Sequence, residues 1–144
     1  MKIAIDLDID CMIFCETHNS QNLRPVLPSF KTFFRNRRHR EKGGVAIFVK
    51  ESLARNAIEI HQGADENESL AVLLADLSPP LVLATHYGTQ NNSFGVQCLQ
   101  MNIKSFFGQV ETWANKGYEI CAISDFNQAC GRSLIPSNDA AVAR

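Results

Sequence analysis

The chain has 144 residues, of which 45% are apolar and 20% charged; 14 basic and 15 acidic side chains leave a net charge of −1. This length suits one domain with a genuine core, and the composition excludes a disordered, collagen-like or coiled-coil chain. Near-neutral charge argues against a module that binds nucleic acid by backbone attraction alone.

Residues 1–8 are short and amphipathic and predict the end of a helix. Asp6, Asp8 and Asp10 exclude a secretory signal there, so an intracellular chain is expected. Residues 10–15 are mostly apolar and predict a first strand, stopped by the loop formers Glu16-Thr17-His18-Asn19-Ser20. Pro25 and Pro28 predict an irregular connection over residues 19–31. Arg35, Arg37, Arg38, Arg40 and Lys42 then crowd one short stretch. Two readings of that run stand: a solvated loop or soluble edge strand, and a patch that contacts phosphates.

Gly43-Gly44 opens a second strand over residues 45–49. Apolar runs at 70–77 and 81–86 flank Ser78-Pro79-Pro80, whose prolines cannot donate to a ladder and mark the turn of an antiparallel hairpin. Neither run approaches the ~20 residues of a membrane helix, and no membrane association is expected. Asn91-Asn92-Ser93 reads as a helix start, after which Leu99, Ile103, Phe106, Phe107, Val110 and Trp113 form one apolar stripe. Gly117 ends that helix, and residues 118–123 predict a strand running into Ser124-Asp125-Phe126-Asn127. The pattern fades after Gly131, so residues 132–144 are expected to be a poorly ordered tail.

Of the five cysteines, Cys11, Cys15, Cys98 and Cys121 lie in apolar settings and read as reduced small hydrophobes. On a strand, Cys11 and Cys15 stand about 13 Å apart, too far to share a zinc ion with His18. The element order predicts the α/β class, with a mixed sheet (α+β in content) and an antiparallel hairpin near residues 70–86. Neither a dinucleotide-binding nor a phosphate-loop glycine motif occurs.

Two acids occupy matching places, Glu16 after one apolar run and Asp125 after another. Carboxylates at the ends of strands line the edge where α/β sheets bind ligands, and two brought together favour a cation between them. Oxygen donors of this kind suit Mg²⁺ or Mn²⁺. The plainer reading, that each acid ends its strand in solvent, stands beside this one.

Four short motifs in order resemble the endonuclease–exonuclease–phosphatase superfamily: Cys15-Glu16-Thr17, Lys42-Gly43-Gly44-Val45-Ala46-Ile47-Phe48-Val49, Thr85-His86-Tyr87 and Ser124-Asp125-Phe126-Asn127. Within it they are most similar to the endonuclease domain of non-LTR retrotransposons. The resemblance runs from about residue 8 to residue 131. It implies a two-sheet sandwich flanked by helices, and metal-dependent hydrolysis of DNA phosphodiesters. It assigns Glu16 to the metal, Asp125 to the attacking water, Asn127 to the scissile phosphate and Tyr87 to a place against that phosphate. The run Arg35, Arg37, Arg38, Arg40 and Lys42 becomes a DNA-backbone contact on this view.

Departures from the family pattern are equally visible. The family's first strand, with its asparagine, has no counterpart, and neither has the terminal Ser-Asp-His motif: the last histidine is His86 and the only aspartate after Asp125 is Asp139. Ser124 stands where the family has glycine. One sheet is therefore expected to be mostly missing, and a partner chain could supply the absent strands. Three functions compete: the endonuclease, an inactive remnant that at most binds nucleic acid or protein, and a phosphatase of the same superfamily.

Overall fold

The computed structural model describes residues 8–18, 24–36, 43–63, 68–88 and 95–126. The helix expected over residues 1–8, the start signal Asn91-Asn92-Ser93, and everything from Asn127 onward fall almost wholly outside them. So do Arg37, Arg38, Arg40 and Lys42.

Seven strands and one helix make up the described chain, in the order β1 (Cys11–Cys15), β2 (Phe30–Arg35), β3 (Val45–Lys50), β4 (Ala57–Gln62), β5 (Glu68–Leu74), β6 (Leu81–Tyr87), α1 (Gly95–Asn115) and β7 (Glu119–Asp125). They form two sheets. The first is antiparallel, in the order β1-β3-β2; the second runs β4-β5-β6-β7, with β7 parallel to β6 and its other neighbours antiparallel. The content is mixed α/β, as expected, but in two layers of three and four strands rather than with one layer mostly missing.

Alternation along the strands explains how three layers stack. Val45, Ile47 and Val49 of β3 face Leu70, Val72 and Leu74 of β5 and Leu83 of β6, all buried in one cluster between the sheets. The alternate residues Ala71, Val82 and Ala84 turn to the other face and meet Phe106 and Trp113 of α1. Burial of such aromatic rings is worth about 1.5–3 kcal/mol each. Val110 packs against this cluster as the stripe predicts, whereas Phe107 is half exposed and lies instead with its ring 5.6 Å from that of Phe126.

The helix ends as Gly117 predicts. With φ +80°, Gly117 lets its own N–H reach the Ala114 carbonyl (2.9 Å) while Tyr118 N–H reaches that of Trp113 (3.3 Å). Leu74 faces Leu81 across the hairpin of β5 and β6, with the expected Ser78-Pro79-Pro80 turn between them.

Two strands depart from expectation. β2 begins inside the region read as irregular, and β4 was not anticipated. Each mixes three apolar residues with polar or charged ones, as suits a sheet edge with one open side. The outer face of the first sheet carries Met12, Phe34, Ala46 and Phe48 under Leu27, with Phe14 47% exposed beside them.

A polar row crosses the helix-facing side of the second sheet. Ser69 and Ser124 are the register partners of His86 on either side, and His61 Nε2 lies 2.9 Å from Ser69 Oγ. His86 is 1% exposed, stacked on Phe106 at 5.4 Å, and its ring nitrogens have no hydrogen-bond partner among the described residues. Burial, aided by the nearby His61, pushes its pKa down to about 4 from an ordinary 6.5.

A depressed histidine pKa means that the unfolded chain takes up the proton first. The neutral His86 thus contributes its stability in full above pH 6.5 and loses it as pH falls from 6.5 through about 4. Unfolding by urea across that window should show wild type losing about 3 kcal/mol more than His86→Leu. Parallel pH profiles for the two proteins would show that His86 is not buried neutral.

Candidate functional site at the mouth of the sandwich

Register brings six strand termini to one end of the molecule. Cys15 and Arg35 both pair with Val45, and Tyr87 pairs with both Glu68 and Asp125. Between the layers, Cys15 Sγ lies 3.4 Å from Thr85 Oγ1, which aligns the end of β1 with the end of β6. Glu16, Tyr87 and Asp125 therefore share one mouth, as the strand-end argument requires.

Glu16 reaches that mouth through a local irregularity. Cys15 packs toward the space between the sheets and Phe14 away from it, so strict alternation would send Glu16 outward with Phe14. Instead Glu16 has φ +55°, and the ladder slips by one residue beyond it. Lys50 N–H still meets Asp10 C=O in the regular register, but Thr17 N–H donates to Gly44 C=O (3.2 Å) and His18 N–H to Gly43 C=O (2.8 Å). One extra residue in β1 is a bulge, and bulges re-aim side chains. Here the bulge turns the Glu16 carboxylate back over the mouth, where Tyr87 O–H donates to Oε1.

The bulge is held from below by a buried acid. Glu68 is fully buried, and its Oε2 accepts the Gly44 N–H at 2.6 Å, joining the second sheet to the first. The chain of support thus runs from Glu68 through Gly43-Gly44 to the backbone of Thr17 and His18 that brackets Glu16. Both glycines have positive φ, +102° and +90°. A Cβ on Gly44 would stand 2.5 Å from Thr17 Oγ1 and 3.3 Å from the Arg35 carbonyl. Nothing in the sequence marked Glu68, since a charged residue before an apolar run reads as a loop.

Electrostatically the mouth is open and acidic. The Glu16 side chain is 45% exposed, and its Oε2 faces His18 Nε2 at 3.6 Å. Asp125 is exposed beside Tyr87, which is 5% exposed, and its carbonyl takes the Gly88 N–H at 2.7 Å. Arg35 ends β2 at the same mouth but is half-buried. Its charge acts on β4, holding down the Glu59 carboxyl that burial raises and adding to the burial that lowers His61.

The oxygen donors fit a hard divalent cation in one respect: Glu16 offers a half-exposed carboxylate at the mouth. Among the described residues no three acids, histidines or cysteines converge on one point. Mg²⁺ tolerates this, because it keeps several waters and takes one or two carboxylates plus substrate phosphate. Asn127, which the resemblance assigns to the scissile phosphate, lies just past the last described residue.

No family model, curated protein or solved structure matches the chain. Among the described residues no helix is long and apolar enough to cross a membrane.

Gly44→Ala should lower stability by about 1–3 kcal/mol, from strained backbone and the collision with Thr17 together. Thermal or urea unfolding would measure it. Stability equal to wild type would mean that the Gly43-Gly44 bracket does not hold the bulge.

Proposed function

We propose that the mouth is a site of metal-assisted phosphodiester hydrolysis, with DNA as the substrate class and the chemistry of the endonuclease–exonuclease–phosphatase type. The observation that supports this best is the meeting of Glu16 and Tyr87 across the two sheets, beside Asp125. These are the described residues to which the resemblance gives metal-binding or catalytic roles, and they come from three separate strand ends.

Glu16 is the residue that would hold Mg²⁺ or Mn²⁺, which when bound offsets negative charge developing on the phosphate. Asp125, exposed at the strand end, would accept a proton from an attacking water. Tyr87 orients Glu16 by donating its hydroxyl proton, and its buried ring fixes that hydroxyl from below. Asn127, two residues after Asp125 in the sequence, would supply a neutral donor to the phosphate, the kind of dipole that stabilises an oxyanion. Arg35 ends β2 at the mouth, and the basic residues Arg37, Arg38, Arg40 and Lys42 follow it in the sequence before β3 begins at the same end. On this reading they meet the DNA backbone next to the site.

The test is nicking of supercoiled plasmid by the purified chain with Mg²⁺ and with a chelator. Metal-dependent nicking should fall by about 10²-fold or more in Asp125→Ala and in Glu16→Gln. Absence of nicking by a chain shown to be folded by circular dichroism would overturn the proposal and favour the inactive remnant.

A further inference from the structure

A second site lies at the opposite end of β2 from the mouth. Phe30 pairs with Lys50 and Arg35 with Val45, so at about 3.3 Å per residue Lys31 is roughly 13 Å along the strand from Arg35. There an open concavity of about 540 Å³ is lined by Arg24, Lys31 and Arg55, by the apolar Val26 and Phe30, and by Glu51, among others. It lies against β2, whose outer edge pairs with no other strand among the described residues.

Three features of this concavity point to an anion. First, among the described residues Arg24, Lys31 and Arg55 have no ion-pair partner, and Glu51 is the one acid on the lining. Three like charges with a single acid among them repel on balance, and an anion between them removes that cost.

Second, two of the three cations are anchored. Arg24 Nη2 donates to the Thr32 carbonyl at 3.3 Å, on the open side of the edge strand. Lys31 Nζ donates to the Ala57 carbonyl at 3.0 Å and lies 5.1 Å from the centre of the Phe33 ring. Each bond uses one donor of a group that has several, so the remaining donors stay available and little side-chain freedom is left to lose on binding.

Third, the lining is chemically two-sided. Guanidinium forks match phosphate oxygens in pairs, whereas Val26, 73% exposed, and Phe30 offer an apolar wall. That combination suits a phosphate attached to a flat apolar group better than a bare anion.

We propose that this concavity binds the phosphate of a nucleotide, with Arg24 and Arg55 on the phosphate and Phe30 and Val26 against the base or sugar. The shared chemistry is a nucleotide phosphate, supplied either by a free mononucleotide or by a single strand of nucleic acid. The site is independent of the mouth and of the hydrolysis proposed there.

Calorimetric titration of the whole chain at low salt, with inorganic phosphate, adenosine 5′-monophosphate and a single-stranded DNA dodecamer, tests it. The mononucleotide should bind more tightly than inorganic phosphate. The Arg24→Ala/Arg55→Ala double variant should bind it about tenfold or more weakly. Both arginines are exposed, so the double variant should keep its fold, checked by circular dichroism. Glu51→Gln should tighten binding, and Lys104→Ala, an exposed cation on α1, should leave it unchanged.

A dodecamer that binds far more tightly than the mononucleotide, with steep salt dependence and with loss in the double variant, would identify a strand as the source. Equal affinities would identify a free nucleotide. No binding of any of the three, or a folded double variant that binds as wild type does, would overturn the proposal.

Discussion

The hydrogen bond from Tyr87 to Glu16 is the contact on which the candidate site depends, because it joins a residue of one sheet to a residue of the other at their common mouth. Only Tyr87 reaches it by regular geometry, at the end of β6 and in register with both neighbouring strands. Tyr87 gets there because its ring is buried in the core between the sheets, which leaves only the hydroxyl at the rim. Glu16 gets there because β1 gains one extra residue and a left-handed φ, a conformation that costs a non-glycine residue about 1–3 kcal/mol. Such strain persists only where the surroundings fix it. Here the Gly43-Gly44 carbonyls and the buried Glu68 carboxylate below them do so.

The same economy of polar groups appears on the other face of the second sheet. His86 and Ser124, each directly next in sequence to a mouth residue, turn their side chains under α1, where neither finds a partner among the described residues. A buried unpaired polar group costs about 1–3 kcal/mol. The stacking of His86 on Phe106, and of Phe126 beside it, offsets part of that cost. The second sheet thus carries the mouth on one face and a dry aromatic layer on the other, so a change at residue 86 or 124 is felt at Tyr87 or Asp125 through the backbone of one strand.

Much of this was legible in the sequence wherever periodicity and breakers agreed. β1, β3, the hairpin of β5 and β6, the helix with its Gly117 ending, and β7 were all readable, to within a few residues at their ends. β2 and β4 were not, because an edge strand needs only one apolar face, and Phe30-Lys31-Thr32-Phe33-Phe34-Arg35 lacks clean alternation. At the mouth, strand-end position alone brought Glu16 and Asp125 together. Which way Glu16 points could not be read, since alternation sends it to the wrong face and only the bulge corrects this. Glu68 was invisible for a related reason: a buried carboxylate is recognisable only once its donor, the Gly44 N–H, is in place. Arg35, grouped in the sequence with the basic run that follows it, proves to act on Glu59 and His61 of β4 as well.

The most direct test of the account is the coupling between Glu16 and Tyr87, measured as a double-mutant cycle of unfolding free energies for Glu16→Ala, Tyr87→Phe and the pair. A hydrogen bond to a carboxylate that fastens the two sheets predicts a coupling of about 1 kcal/mol or more. Strictly additive effects would contradict it, and would mean that the two sheet ends meet at the mouth without holding each other.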